Sequence, residues 1–179
     1  MNFKNIEERI MQLPIYQYVF LKIEDIEFND KMRNKCKNEC PRYGKSWSCP
    51  PAIGSLKQCK NKCMEYSHAL LFSSAVEIPD YANKELILNS KREHEEVTES
   101  IENIIRSEVK KCYTLSTESC SLCEKCTYPK KSCLNPDKMH PCIESHGVVL
   151  SSILEEHHMD YFMGENMILW FSLIFIKEA

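Results

Sequence analysis

The residues of this chain best suited to chemistry are its cysteines, eleven among 179 residues, and they fall into two groups. The later group is the more informative. Cys120, Cys123 and Cys126 stand at intervals of three, and Cys133 follows in the run Cys133-Leu134-Asn135-Pro136. Three thiolates so spaced on one tight loop can each take a different iron of a cubane, while the loop's amides point toward sulfur and offset its negative charge. A structural zinc site more often draws two Cys-x2-Cys pairs from separate segments. The spacing therefore favours a [4Fe-4S] cluster at Cys120, Cys123, Cys126 and Cys133 over zinc, and zinc over a set of metal-free thiols. In two-cluster ferredoxins the fourth cysteine of such a run serves the other cluster. Cys142 is then an alternative to Cys133, although for Cys142 and for Cys112 a free packing cysteine is the simpler reading.

The earlier group comprises Cys36, Cys40, Cys49, Cys59 and Cys63. Its spacing matches no common zinc-finger pattern. Pro50 and Pro51 hold the chain extended after Cys49, and Gly44 and Gly54 permit sharp turns, so the loop is shaped before any metal arrives. Metal binding by Cys36, Cys40, Cys49 and Cys59 is expected, with the metal itself left open between a second cluster and zinc. A helix over 57–65 would put Cys59 and Cys63 on one face, so that one of them suffices. Residues 31–66 carry nine Lys or Arg against Glu39 and Glu65, the reverse of the net charge of -3 for the whole chain. Cations near an anionic cluster stabilise it. The same patch could dock an acidic redox partner; nucleic acid ranks last, since only Tyr43 and Trp47 add to the charge.

Composition closes other routes. Four scattered glycines leave no Gly-rich phosphate loop for NAD, FAD or ATP. An opening MNFKNIEERI without an apolar stretch points to a cytoplasmic protein with reduced thiols, and an odd cysteine count argues against complete disulfide pairing. The apolar run 167–176 is half the roughly 20 residues of a membrane span, and reads as a buried strand. Ser151-Ser152 and His157-His158 lack the context of a hydrolase nucleophile, and no catalytic residue is assigned. A thiol enzyme pairing Cys142 with His140 or His146 ranks lower still, since nothing in the spacing joins them.

The elements that must position these cysteines are strands at 15–22, 68–73, 113–117 and 167–176, and a helix after Pro79. In that helix Val97, Ile101, Ile104, Ile105 and Val109 form one apolar stripe, and Glu95, Glu96, Glu99 and Glu102 read as a solvated face. A short helix at 150–157 precedes the last strand. Strand, long helix and strand in succession predict a parallel crossover. The expected fold is α/β (α+β): a single domain over 1–179, with a mixed sheet of about four strands, one long helix and two cysteine-rich metal-binding loops.

Cys36-x3-Cys40, Tyr43-Gly44-Lys45-x-Trp47-x-Cys49-Pro50-Pro51, Gly54 and Cys59, then Cys120-x2-Cys123-x2-Cys126-x-Tyr128-Pro129-x3-Cys133, resemble an uncharacterised family: the cysteine-rich predicted metal-binding proteins of anaerobic bacteria and methanogenic archaea. Pro136, Pro141, Glu144, Gly147 and the ending Gly164-Glu165-Asn166 also fit. The resemblance implies one domain built around both cysteine groups, with iron-sulfur binding. Cys63, Cys112 and Cys142 fall outside its pattern, and it supplies no reaction. Three functions are open: a cytoplasmic iron-sulfur protein that transfers electrons to a redox partner protein, a zinc-stabilised binding module with a basic docking loop, and a cluster-dependent reductase. No feature sets an oligomeric state.

Overall fold

The computed structural model of the chain describes residues 3–178. Helix α1 (Phe3–Ile10) leads into strand β1 (Gln17–Lys22), followed by helices α2 (Asp30–Asn38) and α3 (Leu56–Cys63). Strand β2 (His68–Glu77), the long helix α4 (Lys84–Glu108), strand β3 (Lys111–Ser116), helix α5 (Leu150–Glu156) and strand β4 (Met167–Lys177) complete the order. The α+β class, the four strands and the one long helix agree with the pattern of the sequence. Helices α1 and α2 have no counterpart there: α1 has a clear apolar face in Ile6 and Ile10 but is only eight residues long, and α2 is polar with no buried residue.

The sheet order is β1-β2-β4-β3 and every pairing is antiparallel, so the sheet is not mixed. β2 and β3 do run in the same direction, joined by α4, but β4 lies between them. β4 is the longest and most apolar strand, and in the centre its backbone groups pair on both sides, with β2 from His68↔Ile176 to Glu77↔Met167 and with β3 from Lys111↔Lys177 to Ser116↔Ser172. A parallel β2–β3 contact would leave that strand at an edge, exposing a row of unpaired backbone groups on an apolar segment.

Both faces of the sheet are covered, which is why β2 and β4 read as continuous apolar runs. On one face Leu70, Phe72, Ile174 and Ile176 pack against Ile6 and Ile10 of α1 and Ile101 and Ile105 of α4. On the other Leu71, Leu115, Leu173 and Phe175 pack against Cys63, Ile143, Val148, Ile153 and Leu154. No helix among the described residues is long and apolar enough to cross a membrane.

The 30–54 arm is tied to this body at Gly147. Its carbonyl accepts from Asn29 N at 2.6 Å, just where the Asn29 side chain caps α2 through Lys31 N at 2.9 Å. Gly147 has φ +79°, and a Cβ there would stand 2.6 Å from Leu56 Cδ1 and 3.3 Å from Asn29 O. Gly147→Ala combines left-handed backbone strain with crowding, and is expected to lower stability by about 1–3 kcal/mol in urea denaturation. An unchanged midpoint would contradict this account of the joint.

Candidate metal centre

The segment 118–142 contains no helix or strand, and four of its five cysteines line one cavity of about 460 Å³ with Trp47 and Tyr128. Cys120, Cys123, Cys126 and Cys133 all face it. Loop 40–54 forms the opposite wall. Trp47 holds the two loops together: its Nε1 donates to Lys131 O at 3.0 Å and its ring meets Tyr128 edge-on at 5.0 Å.

Donors converge on the sulfurs. Burial disfavours the Cys126 thiolate, but the amides of Tyr128, Trp47 and Thr127 and the Ser46 hydroxyl outweigh it and bring the Cys126 pKa below its usual value. Asn135 Nδ2 donates to Cys123 Sγ at 3.3 Å. Burial raises the Cys120 pKa; the Leu122 amide and the Lys91 ammonium work against that rise.

Two buried serines connect the cysteine groups. Ser46 Oγ lies 2.9 Å from Ser48 Oγ, which accepts from Cys120 N at 2.8 Å and lies 3.8 Å from Cys49 Sγ. Lys91, only 3% exposed, projects from α4 to Ser119 O, and its charge partly opposes the rise in pKa that burial imposes on both Cys49 and Cys120. One buried cation thus serves thiols of both groups. Sequence reasoning missed Lys91, although it lies three and seven residues ahead of His94 and Thr98, on the N-terminal continuation of the buried stripe.

The earlier cysteines are spread over more elements. Cys36 is on α2, Cys40 follows its end, Cys49 is buried in the loop beneath, and Cys59 is on α3. Burial pushes the Cys36 thiol up to about 11, helped by the charges of Cys40 and Glu144. Cys59 donates to Ile53 O at 3.5 Å and lies with Cys63 on the buried face of α3, as the helical spacing requires. Burial pushes Cys63 and Cys112 each to about 12, and both join the apolar clusters as packing residues. Among the described residues no group of three Cys, His, Asp or Glu side chains closes on one point as the ligands of a single ion would.

The acidic face of α4 is not simply solvated. Glu95 and Glu102 turn inward and grip His140, with Nδ1 2.8 Å from Glu95 Oε2 and Nε2 3.1 Å from Glu102 Oε2. The chain continues inward from Glu95 through Ser116 Oγ at 2.6 Å and Ser172 Oγ at 3.2 Å to His94. Glu96 and Glu99 remain exposed, as expected of the whole face. A cavity of about 860 Å³ lies over Glu95, Glu102 and His140 and shares Cys120, Leu122 and Met139 with the thiol cavity. Four glutamates at helical spacing look alike in sequence, and only the position of His140, from a distant loop, separates the buried pair from the exposed one.

No curated protein and no solved structure matches the chain. A family model described as "Predicted metal-binding protein (DUF2284)" matches residues 19–176, nearly the whole chain and both cysteine groups, and the chain belongs to that metal-binding family.

Proposed function

We propose that this is a cytoplasmic iron-sulfur protein of electron transfer or redox support, with a [4Fe-4S] cluster at Cys120, Cys123, Cys126 and Cys133 and a second metal site in the earlier cysteine group. The observation that carries this reading is the cavity onto which all four later cysteines face, with N–H and O–H donors aimed at Cys126 and Cys123. Soft thiolates with amide donors to sulfur suit iron-sulfur ligation, and a bound cubane would supply one-electron chemistry. Lys91 offsets thiolate charge at the inner wall. Leu122 and Leu134, 45% and 67% exposed, line the cavity with Arg42, Lys45 and Lys125 against the single acid Glu124, a predominantly basic edge with apolar side chains that suits an acidic redox partner protein.

Protein isolated without oxygen should be brown, contain iron and acid-labile sulfide, and give an EPR signal on reduction. A colourless protein that keeps stoichiometric zinc after anaerobic reconstitution with iron and sulfide would overturn the reading in favour of the zinc-stabilised module. The second cavity favours a further version, a cluster-dependent reductase. Its substrate would lie beside His140, against the wall that Cys120 shares with the thiol cavity.

A further inference from the structure

Cys36, Cys49 and Cys142 belong to three separate segments that pack into one region, although the three thiols do not close on one point there. Arg33 and Cys36 are three residues apart on α2 and share a face. On that face Arg33 donates to Ser145 O, and α2 packs along the 3-10 turn Glu144–His146. Cys142 lies just ahead of this turn. Its amide donates to Ser48 O at 3.4 Å, setting it beside Cys49, and its thiol donates to Glu144 Oε2 at 2.7 Å. The same carboxylate is near Cys36, which also feels the charges of Cys40 and Cys49, while Cys142 feels that of Cys36.

Cys59 keeps different company. Its thiol bonds Ile53 O, and the charges nearest to it are Arg33 and Lys62. Arg33 hydrogen-bonds the Cys59 thiol and Gly54 O just ahead of α3, whereas only its charge reaches Cys36.

We propose that Cys142 is the fourth sulfur ligand of the first metal site, with Cys36, Cys40 and Cys49, and that Cys59 is a buried packing thiol. The proposal rests on the reading of the earlier cysteine group as a metal site. It reassigns the pattern of the sequence, in which Cys59 is the ligand and Cys142 the spare: Cys142 is 83 residues from Cys59 in the chain, and only the packing of the 3-10 turn on α2 brings it to Cys36.

The test compares full-length wild type, Cys142→Ser and Cys59→Ser, each reconstituted anaerobically with iron, sulfide and zinc and assayed for metal and sulfide per chain, with circular dichroism as the control for folding. Cys142→Ser should lose the metal of the first set, a twofold fall in iron if both sets hold cubanes or loss of all zinc if the first holds zinc. Cys59→Ser should keep the wild-type content. A folded Cys59→Ser protein that loses this metal overturns the proposal, and does so even if Cys142→Ser fails to fold; a folded Cys142→Ser protein with full metal overturns it as well. A wild type that binds metal only at the later set instead removes the reading on which the proposal stands, and the wild-type assay alone reveals that case.

Discussion

Replacing His140 with alanine is expected to destabilise the protein by about 3–5 kcal/mol near neutral pH, the cost of breaking a buried ion pair by deleting one partner. His140 and Glu102 are each 10% exposed and Glu95 is 21% exposed. Both imidazole nitrogens face carboxylates, so both must donate, and only the imidazolium does that. Burial opposes its charge, but the hydrogen bonds His140 donates to Glu102 and Glu95 raise its pKa to about 9. Burial likewise opposes the Glu102 carboxylate, and His140 with Arg106 nonetheless hold its pKa at about 2. Alanine leaves Glu95 with Ser116 and the Lys91 charge, and Glu102 with Arg106 and the Cys112 thiol.

The pH dependence follows from the signs. A histidine whose folded pKa exceeds its unfolded value contributes fully below about 6.5, and the contribution is lost as pH rises through 9. The depressed pKa of Glu102 contributes above about 4.5 and is lost as pH falls toward 2. The gap in stability between wild type and His140→Ala should thus be widest between pH 4.5 and 6.5 and shrink toward pH 9. Burial lowers His94 and His146 to about 4, so both remove stability as pH falls from 6.5. The wild type should therefore be most stable near pH 6.5. Urea denaturation of both proteins from pH 5 to 9.5 checks this, and a gap constant across that range would refute the charged triad.

Stripping metal should loosen the cysteine loops and leave the sheet standing. No residue of 36–54 or 118–142 belongs to either apolar cluster, so these segments hold to the body through hydrogen bonds, the ion pairs of His140 and Lys138 with α4, and any metal they ligate. Metal binding to such loops contributes to their local folding free energy rather than to that of the core. After removal of metal, trypsin should cut at Arg42, Lys45, Lys125, Lys130 and Lys131, all exposed, at least about tenfold faster. Far-UV circular dichroism should change little. Cooperative loss of the far-UV signal would show instead that the metal holds the whole fold.

Much of this architecture is legible locally. The β-branched and aromatic run of β4 admits little but a buried strand, the stripe from Val97 to Val109 admits little but a helix, and the triplet Cys120, Cys123 and Cys126 has a spacing suited to metal ligation whatever the surrounding fold. The helical spacing of Cys59 and Cys63 likewise settles that they share a face. These features depend on neighbours within a few residues, where backbone geometry alone relates side chains.

What lies beyond that range was decided by packing. Whether β4 would sit at an edge or between β2 and β3 depended on which strand could satisfy its backbone on both sides. The fates of Glu95 and Glu102 depended on His140, some forty residues away. Ser46 and Ser48 join two loops that no spacing relates, and Cys142 comes beside Cys36 only because α2 rests on the 3-10 turn at Glu144. The sequence by itself determined that this chain carries two sets of thiols on an α+β frame. Only the tertiary structure decided which thiols, cations and carboxylates meet, because burial and charge act through space across segments whose separation along the chain carries no information about their contact.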